Sequence, residues 1–276
     1  MNTKFIVIGI VTLLTLTAGG YYYSTVNAEF KEKSTAFIGK HILGETEEIV
    51  EPKIEKEVYA IADGTGSRYL NYAIPELDTA FIRNVLDAMY NQDGGKFWLS
   101  YIDRDSKNNQ VLYIRIEPRK KTTKPVRKDG ETSFDYSNRV QAWEQKIPEY
   151  RKDSINHLNH FITERDKFIK QAFLQLKKVY TKGTSDNQWT DAIGSLNAAV
   201  STVSQSDNDT SEKYILCFSD MEQDAPYLSP KPVLNGIPSN IRVLAVNPVQ
   251  GSSRMIADNI LEIEHTDRLF EIMFNQ

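Results

Sequence analysis

One cysteine in 276 residues leaves no partner for an internal disulfide and too few thiolates for a multi-cysteine zinc site. An excess of one charge is also missing. Against 33 Lys and Arg stand 37 Asp and Glu, and a net charge of -4 gives no global argument for nucleic-acid binding. With 14 glycines and 10 prolines the chain is neither collagen-like nor low in complexity. A mean hydropathy of -0.45 excludes a polytopic membrane protein but leaves room for one inserted segment. No Ser-His-Asp or Cys-His constellation can be assembled. What is present is 40% hydrophobic and 25% charged, enough for one large domain or two small ones with a proper core.

A candidate for the inserted segment comes first. Lys4 precedes a run without charge from Phe5 to Ala28, the pattern of an export signal or an N-terminal anchor. Phe5 to Tyr23 suffices to cross a hydrocarbon core of about 30 Å as a helix, and Tyr21, Tyr22 and Tyr23 suit the interface. The competing reading is cleavage after Val26-Asn27-Ala28, although the polar stretch from Thr17 is long for a signal-peptide end. Either way the remainder is expected outside the cytoplasm. It would be anchored by one N-terminal helix, or secreted or periplasmic after cleavage near Ala28. No cysteine follows the run, so a lipoprotein anchor is excluded. The expected organisation is a signal or anchor over 1–28, a charged tether over 29–57 and a domain over 58–276.

Within that domain, Val58–Ala62 reads as a buried strand running into the polar loop Asp63-Gly64-Thr65-Gly66-Ser67. Leu77, Phe81, Val85 and Met89 recur at helical spacing behind Pro75 and Glu76, which fit a first turn. Lys96–Ile102 and Val111–Ile116 are β-rich, and their connector is too short for a crossover helix, so they should pair antiparallel. The stretch holding Arg119, Lys120, Lys121, Lys124, Arg127 and Lys128 reads as a solvated loop, with a lipid or polyanion patch as the sharper alternative. Tyr136–Tyr180 reads as helical with an interruption at Pro148. Its stripe is Ile155, Leu158, Ile162, Ile169, Phe173, Leu176 and Tyr180, widened by Phe161 and Phe168. From Arg151 onward that helix would run about 45 Å, long enough to project as a partner surface. Thr190–Ser204 follows as a helix, Lys213–Phe218 and Ile241–Val246 as buried strands, Ile256–Asn259 as a short helix, Ile260–Ile263 as a strand and Asp267–Phe274 as a closing helix. Doubly buried strands ending in polar residues point to a mainly parallel sheet.

Three polar turns sit at strand ends or helix starts: Asp63-Gly-Thr-Gly-Ser67, Thr190-Asp-Ala-Ile-Gly-Ser-Leu196 and Phe218-Ser-Asp220. Carboxylates with hydroxyls make a hard oxygen set suited to a Mg²⁺-type site rather than zinc or copper. The two glycines are expected to let the backbone turn sharply, so that Thr65 and Ser67 can align with Asp63.

On these three elements the chain resembles a von Willebrand factor A (VWA) domain with a metal-ion-dependent adhesion site. Asp63, Thr65 and Ser67 match its D-x-S-x-S motif, with Thr for the first Ser. Thr190 and the turn behind it match T-D-x-x-G-A-L, with Gly183-Thr184 as the rival match. Asp220 matches the Asp after the fourth strand, with Met221 where Gly is usual. The resemblance covers about Val58 to Phe274 and departs from it in a long helical insertion around 119–188. It implies a Rossmann-like α/β fold, with a mainly parallel sheet, one antiparallel edge strand and helices on both faces. It further implies Mg²⁺ (or Mn²⁺ or Ca²⁺) held by Ser67, Thr65 and Thr190 directly, and by Asp63 and Asp220 largely through water. An acidic side chain from a partner protein would complete the sphere. The implied function is a non-enzymatic adhesion or assembly module outside the cytoplasm, in contact with the membrane through its N-terminal segment and without a nucleic-acid partner.

Other readings stand beside this one. The same ligands could serve a metal-assisted phosphohydrolase or ATPase, and a degenerate site would leave a structural protein that binds through its long helix. Asp-Gly-Thr-Gly also resembles the phosphate loop of actin-like kinases, but no second such loop appears. Aspartyl proteases use D-T-G, which Gly64 interrupts. His157, His160 and Glu164 could ligate a metal or lie on a solvated helix face. Cys217 reads as an inert buried thiol, and Asn208-Asp209-Thr210 is a glycosylation sequon.

Overall fold

Lys56–Asp63 (β1) is buried at all eight positions, as expected of a strand covered on both faces. It pairs in parallel with Gly95–Ile102 (β2) on one side and with Glu212–Phe218 (β4) on the other. Leu112–Ile116 (β3) closes one edge antiparallel to β2, while Ile241–Val246 (β5) and Ile260–Ile263 (β6) extend the other edge in parallel. In this computed structural model the described residues are 54–65, 76–103, 106, 109–128, 130–181, 190–206, 210–223, 228, 231–246, 248 and 252–274. Among them the sheet has six strands in the order β3-β2-β1-β4-β5-β6. This is the mainly parallel α/β architecture with one antiparallel edge that the resemblance implied. The expected anchor or signal, the tether as far as Lys53, and Ser67, Thr184 and Asn208 all lie outside the described residues. Among those described, no helix is long and apolar enough to cross a membrane.

The pleat sorts the core into two layers. Val58, Ala60 and Ala62 face Thr79–Asn91 (α1), the second half of Ser133–Thr181 (α2) and Asp267–Phe274 (α5). Tyr59 and Ile61 face Ala192–Ser204 (α3), with the flank of Ser252–Ile256 (α4) alongside. Cys217 is fully buried in this second layer, and burial pushes its thiol up to about 12, so the inert reading stands.

Four sequence expectations need correction. Helix α1 starts at Thr79 rather than at Pro75 or Glu76, because Asp78 accepts from the Phe81 amide at 2.7 Å and caps it there. The short helix before β6 is Ser252–Ile256, not Ile256–Asn259. Pro148 does not interrupt α2, which runs 49 residues, about 74 Å; the proline is exposed, so water can serve the carbonyl it leaves unpaired. The buried stripe of α2 is Phe161, Phe168, Ile169, Ala172, Leu176 and Val179, leaving Ile155, Ile162 and Phe173 exposed. Aromatic packing sets that rotation, with Phe161 stacked on Tyr90 at 4.1 Å and Phe168 edge-on to Phe97 at 5.8 Å. Arg165 adds an ion pair to Asp87 of α1 at 2.7 Å.

The first half of α2 stands clear of the sheet and is accompanied by the chain that follows β3. Ser154 donates to the Lys120 carbonyl, Arg139 to the Val126 carbonyl, and His157 meets Glu117 at 3.3 Å. His157 also stacks on Tyr90, so it helps hold this strap against the domain. Among the described residues no group of three or more His, Cys, Asp or Glu could hold a metal, His160 and Glu164 included.

Gly95, the first residue of β2, has φ +142°, and a Cβ there would stand 1.8 Å from the Lys56 carbonyl oxygen. Gly95→Ala is therefore expected to cost about 3 kcal/mol, seen as a lower urea midpoint with an unchanged m-value.

Candidate metal centre

The carboxyl ends of β1 and β4 lie side by side, since Ala62 is in register with Phe218. One residue further on, Ser219 stands opposite Asp63. Its hydroxyl donates to Asp63 Oδ2 at 2.7 Å and accepts from the Met221 amide at 3.0 Å. Asp63 Oδ1 accepts from the Thr65 amide at 2.8 Å and from Thr65 Oγ1 at 2.6 Å, which folds the loop back on itself as an Asx turn. Thr190 Oγ1 then donates to Thr65 Oγ1 at 3.0 Å. Asp63, Thr65, Thr190, Ser219 and Asp220 are all buried.

The glycine in this loop serves another purpose than expected. Gly64 has no left-handed backbone; a Cβ on it would meet Val179 Cγ1 at 2.6 Å, so its lack of a side chain admits the end of α2. Gly64 also donates to the Ile102 carbonyl at 3.2 Å, tying β1 to β2 just before the site.

Thr190 is held by its neighbour. Asp191 caps α3 by accepting from the Gly194 amide at 2.9 Å, and its other oxygen accepts from the Ser106 amide at 3.3 Å. A Cβ at position 194 would fall 2.0 Å from Asp191 Oδ2, which explains the glycine of this turn. The Asp191 amide donates to the Asp103 carbonyl, and Gln223 accepts from the Ile193 amide at 2.8 Å. The start of α3 is thus fastened both to the end of β2 and to the turn after β4.

In that turn Asp220 accepts from the Glu222 amide at 3.0 Å and its carbonyl accepts from Ser252 Oγ at 2.5 Å. Met221 sits between with φ 60°, the left-handed conformation that glycine takes most easily. The turn keeps that backbone without a glycine because Ser219 and Asp220 bond the amides on either side, and the Met221 side chain is buried against the α3 layer.

Two buried carboxylates therefore share one end of the sheet. Among the described residues neither forms an ion pair with a Lys, Arg or His. Burial pushes the Asp63 carboxyl above the usual carboxylate range and the charge of Asp220 adds to this, while bonds from Thr65 and Ser219 oppose it.

The structure brings together Asp63, Thr65 and Thr190 by direct hydrogen bonds and sets Asp220 within electrostatic reach, while Ser67 and Thr184 lie outside the described residues. Ser219 belongs to this group although no motif position in the sequence assigns it. The missing step was the adjacency of β1 and β4, which a hydroxyl directly before Asp220 could have suggested. Asp103 and Ser106, which brace Asp191, carry no sequence signal.

No family model matches this chain, and no curated protein does. Among solved structures it is similar to the manganese-loaded TRAP protein of Plasmodium vivax, at 10% identity over 80% of this chain and 74% of that one, with a TM-score of 0.39. It is also similar to proximal thread matrix protein 1 from the mussel byssus, at 10% identity over 81% of this chain and 48% of that one, with a TM-score of 0.35. The chain thus spans about half of the mussel protein. Likenesses this distant carry no argument; the mainly parallel α/β class is carried by the sheet's own strand order and antiparallel edge.

Because the folded chain holds the Asp63 proton to higher pH than the unfolded chain does, stability in EDTA should fall as pH rises from the ordinary carboxylate range through the raised value. Asp63→Asn removes that loss, and its amide can donate to Ser219. At pH 7 in EDTA the variant is expected to melt above the wild type, with a flatter dependence of Tm on pH. An unchanged slope would contradict the assignment to Asp63.

Proposed function

We propose that the chain is a metal-dependent protein-binding module of the adhesion or assembly kind, acting outside the cytoplasm. Its supporting observation is the pair of buried carboxylates, Asp63 and Asp220, set among the hydroxyls of Thr65, Thr190 and Ser219, with no cationic side chain among the described residues paired to either. Buried negative charge without a counter-charge is costly, and a divalent cation is the partner that such oxygens suit. Mg²⁺ is the first choice, with Mn²⁺ or Ca²⁺ as alternatives.

In this reading Thr65, Thr190 and Ser67 hold the cation directly. Oxygens on adjacent corners of a Mg²⁺ octahedron with bonds of about 2.1 Å stand about 3 Å apart, and the Thr65 and Thr190 hydroxyls are 3.0 Å apart. Both oxygens of Asp63 are engaged by Thr65 and Ser219, which suits a role through water, and Asp220 acts in the same way. When bound, the cation supplies an electrophilic centre whose few direct anionic ligands leave it able to attract a carboxylate. The partner is then a protein that presents an exposed Asp or Glu. The uncharged run from Phe5 to Ala28 supports export or anchoring, with the domain on the far side of the membrane.

Titrating the EDTA-treated full chain with Mg²⁺ or Mn²⁺ by calorimetry tests this. One site is expected, and at a hundredfold excess over its Kd the metal should add about 2.7 kcal/mol to stability. Thr190→Val, close in shape, should keep the fold and lose most of that gain. Neither heat nor a stability change with either metal on folded protein would overturn the proposal.

A further inference from the structure

The strap and the free half of α2 present a second surface, independent of the metal centre. From Pro118 to Lys128 the strap carries Arg119, Lys120, Lys121, Lys124, Arg127 and Lys128 and no acid, in a chain whose remaining residues sum to -10. All of these cations except Arg119 are exposed. Where the strap turns into α2, two apolar side chains stand in solvent, Val126 at 49% exposure and Phe134 at 74%.

The turn that carries them is built. Arg127 donates twice to the Glu131 carbonyl, Glu131 accepts from the Lys128 amide at 2.9 Å, and Arg139 pairs with Glu131 at 3.2 Å while donating to the Val126 carbonyl. Thr132 and Asp135 cap each other at the helix start. Among the described acids of the turn, Glu131 is engaged by Arg139 and Asp135 by Thr132; Asp129, directly after the strap, lies outside the described residues. These bonds hold the described backbone of the turn while Val126 and Phe134 stay exposed.

We propose that this arm is a contact surface for an anionic lipid bilayer, with the strap's lysines on the headgroups and Val126 and Phe134 entering the interface. Basic residues beside exposed aliphatic and aromatic side chains are the combination that holds peripheral segments on such membranes. A nucleic acid or other linear polyanion fits less well. Val126 cannot stack on a base, whereas both it and Phe134 can enter an apolar interface.

The test uses the full chain with Phe134→Cys, labelled with a polarity-sensitive fluorophore; Cys217 is buried and does not compete for label. Because the readout is local to position 134, insertion of the N-terminal segment does not imitate it. Phosphatidylglycerol vesicles at low salt should shift the emission to the blue and raise it severalfold, and phosphatidylcholine vesicles should not. Lys120→Gln, Lys124→Gln and Lys128→Gln should each weaken vesicle affinity about fivefold. Unchanged emission on the anionic vesicles, an equal response to both lipids, no effect of the three substitutions, or the same response to soluble polyphosphate would each overturn the proposal.

Discussion

The carboxylate of Asp63, buried at the end of the central strand, is the constraint around which this domain is arranged. A charge in that position is unfavourable by itself, and the surrounding groups answer it in an ordered way. Thr65 folds back onto one oxygen, Ser219 reaches the other from the neighbouring strand, and Thr190 is then placed against Thr65. Each link depends on β1 lying between β2 and β4 in parallel register, so that the ends of three strands meet.

Elements remote in the chain serve the same end. The last turn of α2 closes over Gly64, which only a residue without a side chain permits. The connector after β2 lends Asp103 and Ser106 to Asp191, so the α3 cap and the Thr190 hydroxyl are positioned by one brace. At the opposite end of the sheet a different chemistry prevails. Lys56 pairs with Glu212 at 2.7 Å, and burial together with Glu212 pushes the Tyr214 phenol up to about 12. There Lys56 and Glu212 answer each other, whereas among the described residues no cationic side chain pairs with Asp63 or Asp220.

Much of the fold was legible in residues taken a few at a time. Strand β5 runs over Ile241–Val246, β6 over Ile260–Ile263 and α5 over Asp267–Phe274, all at their expected bounds, because alternation, apolar runs and helical spacing are local signals. The antiparallel pairing of β2 and β3 followed from a connector too short for a crossover. What misled was equally specific. Pro148 looks like a stop but lies on the exposed side of a helix. The expected stripe of α2 includes Ile155, Ile162 and Phe173 along with Phe161 and Phe168; Tyr90 and Phe97 draw only the last two inward and leave the first three exposed.

The amino-acid order by itself determined the mainly parallel α/β class, the edge hairpin and the three polar turns, since each depends on neighbours within a short span. Tertiary structure alone decided that Ser219 faces Asp63, that Val179 is the reason for Gly64, and that Asp191 is braced by Ser106. Those contacts join residues 156, 115 and 85 positions apart. Such meetings are set by strand order and helix docking, where many weak packing choices are settled together and no local pattern records the outcome.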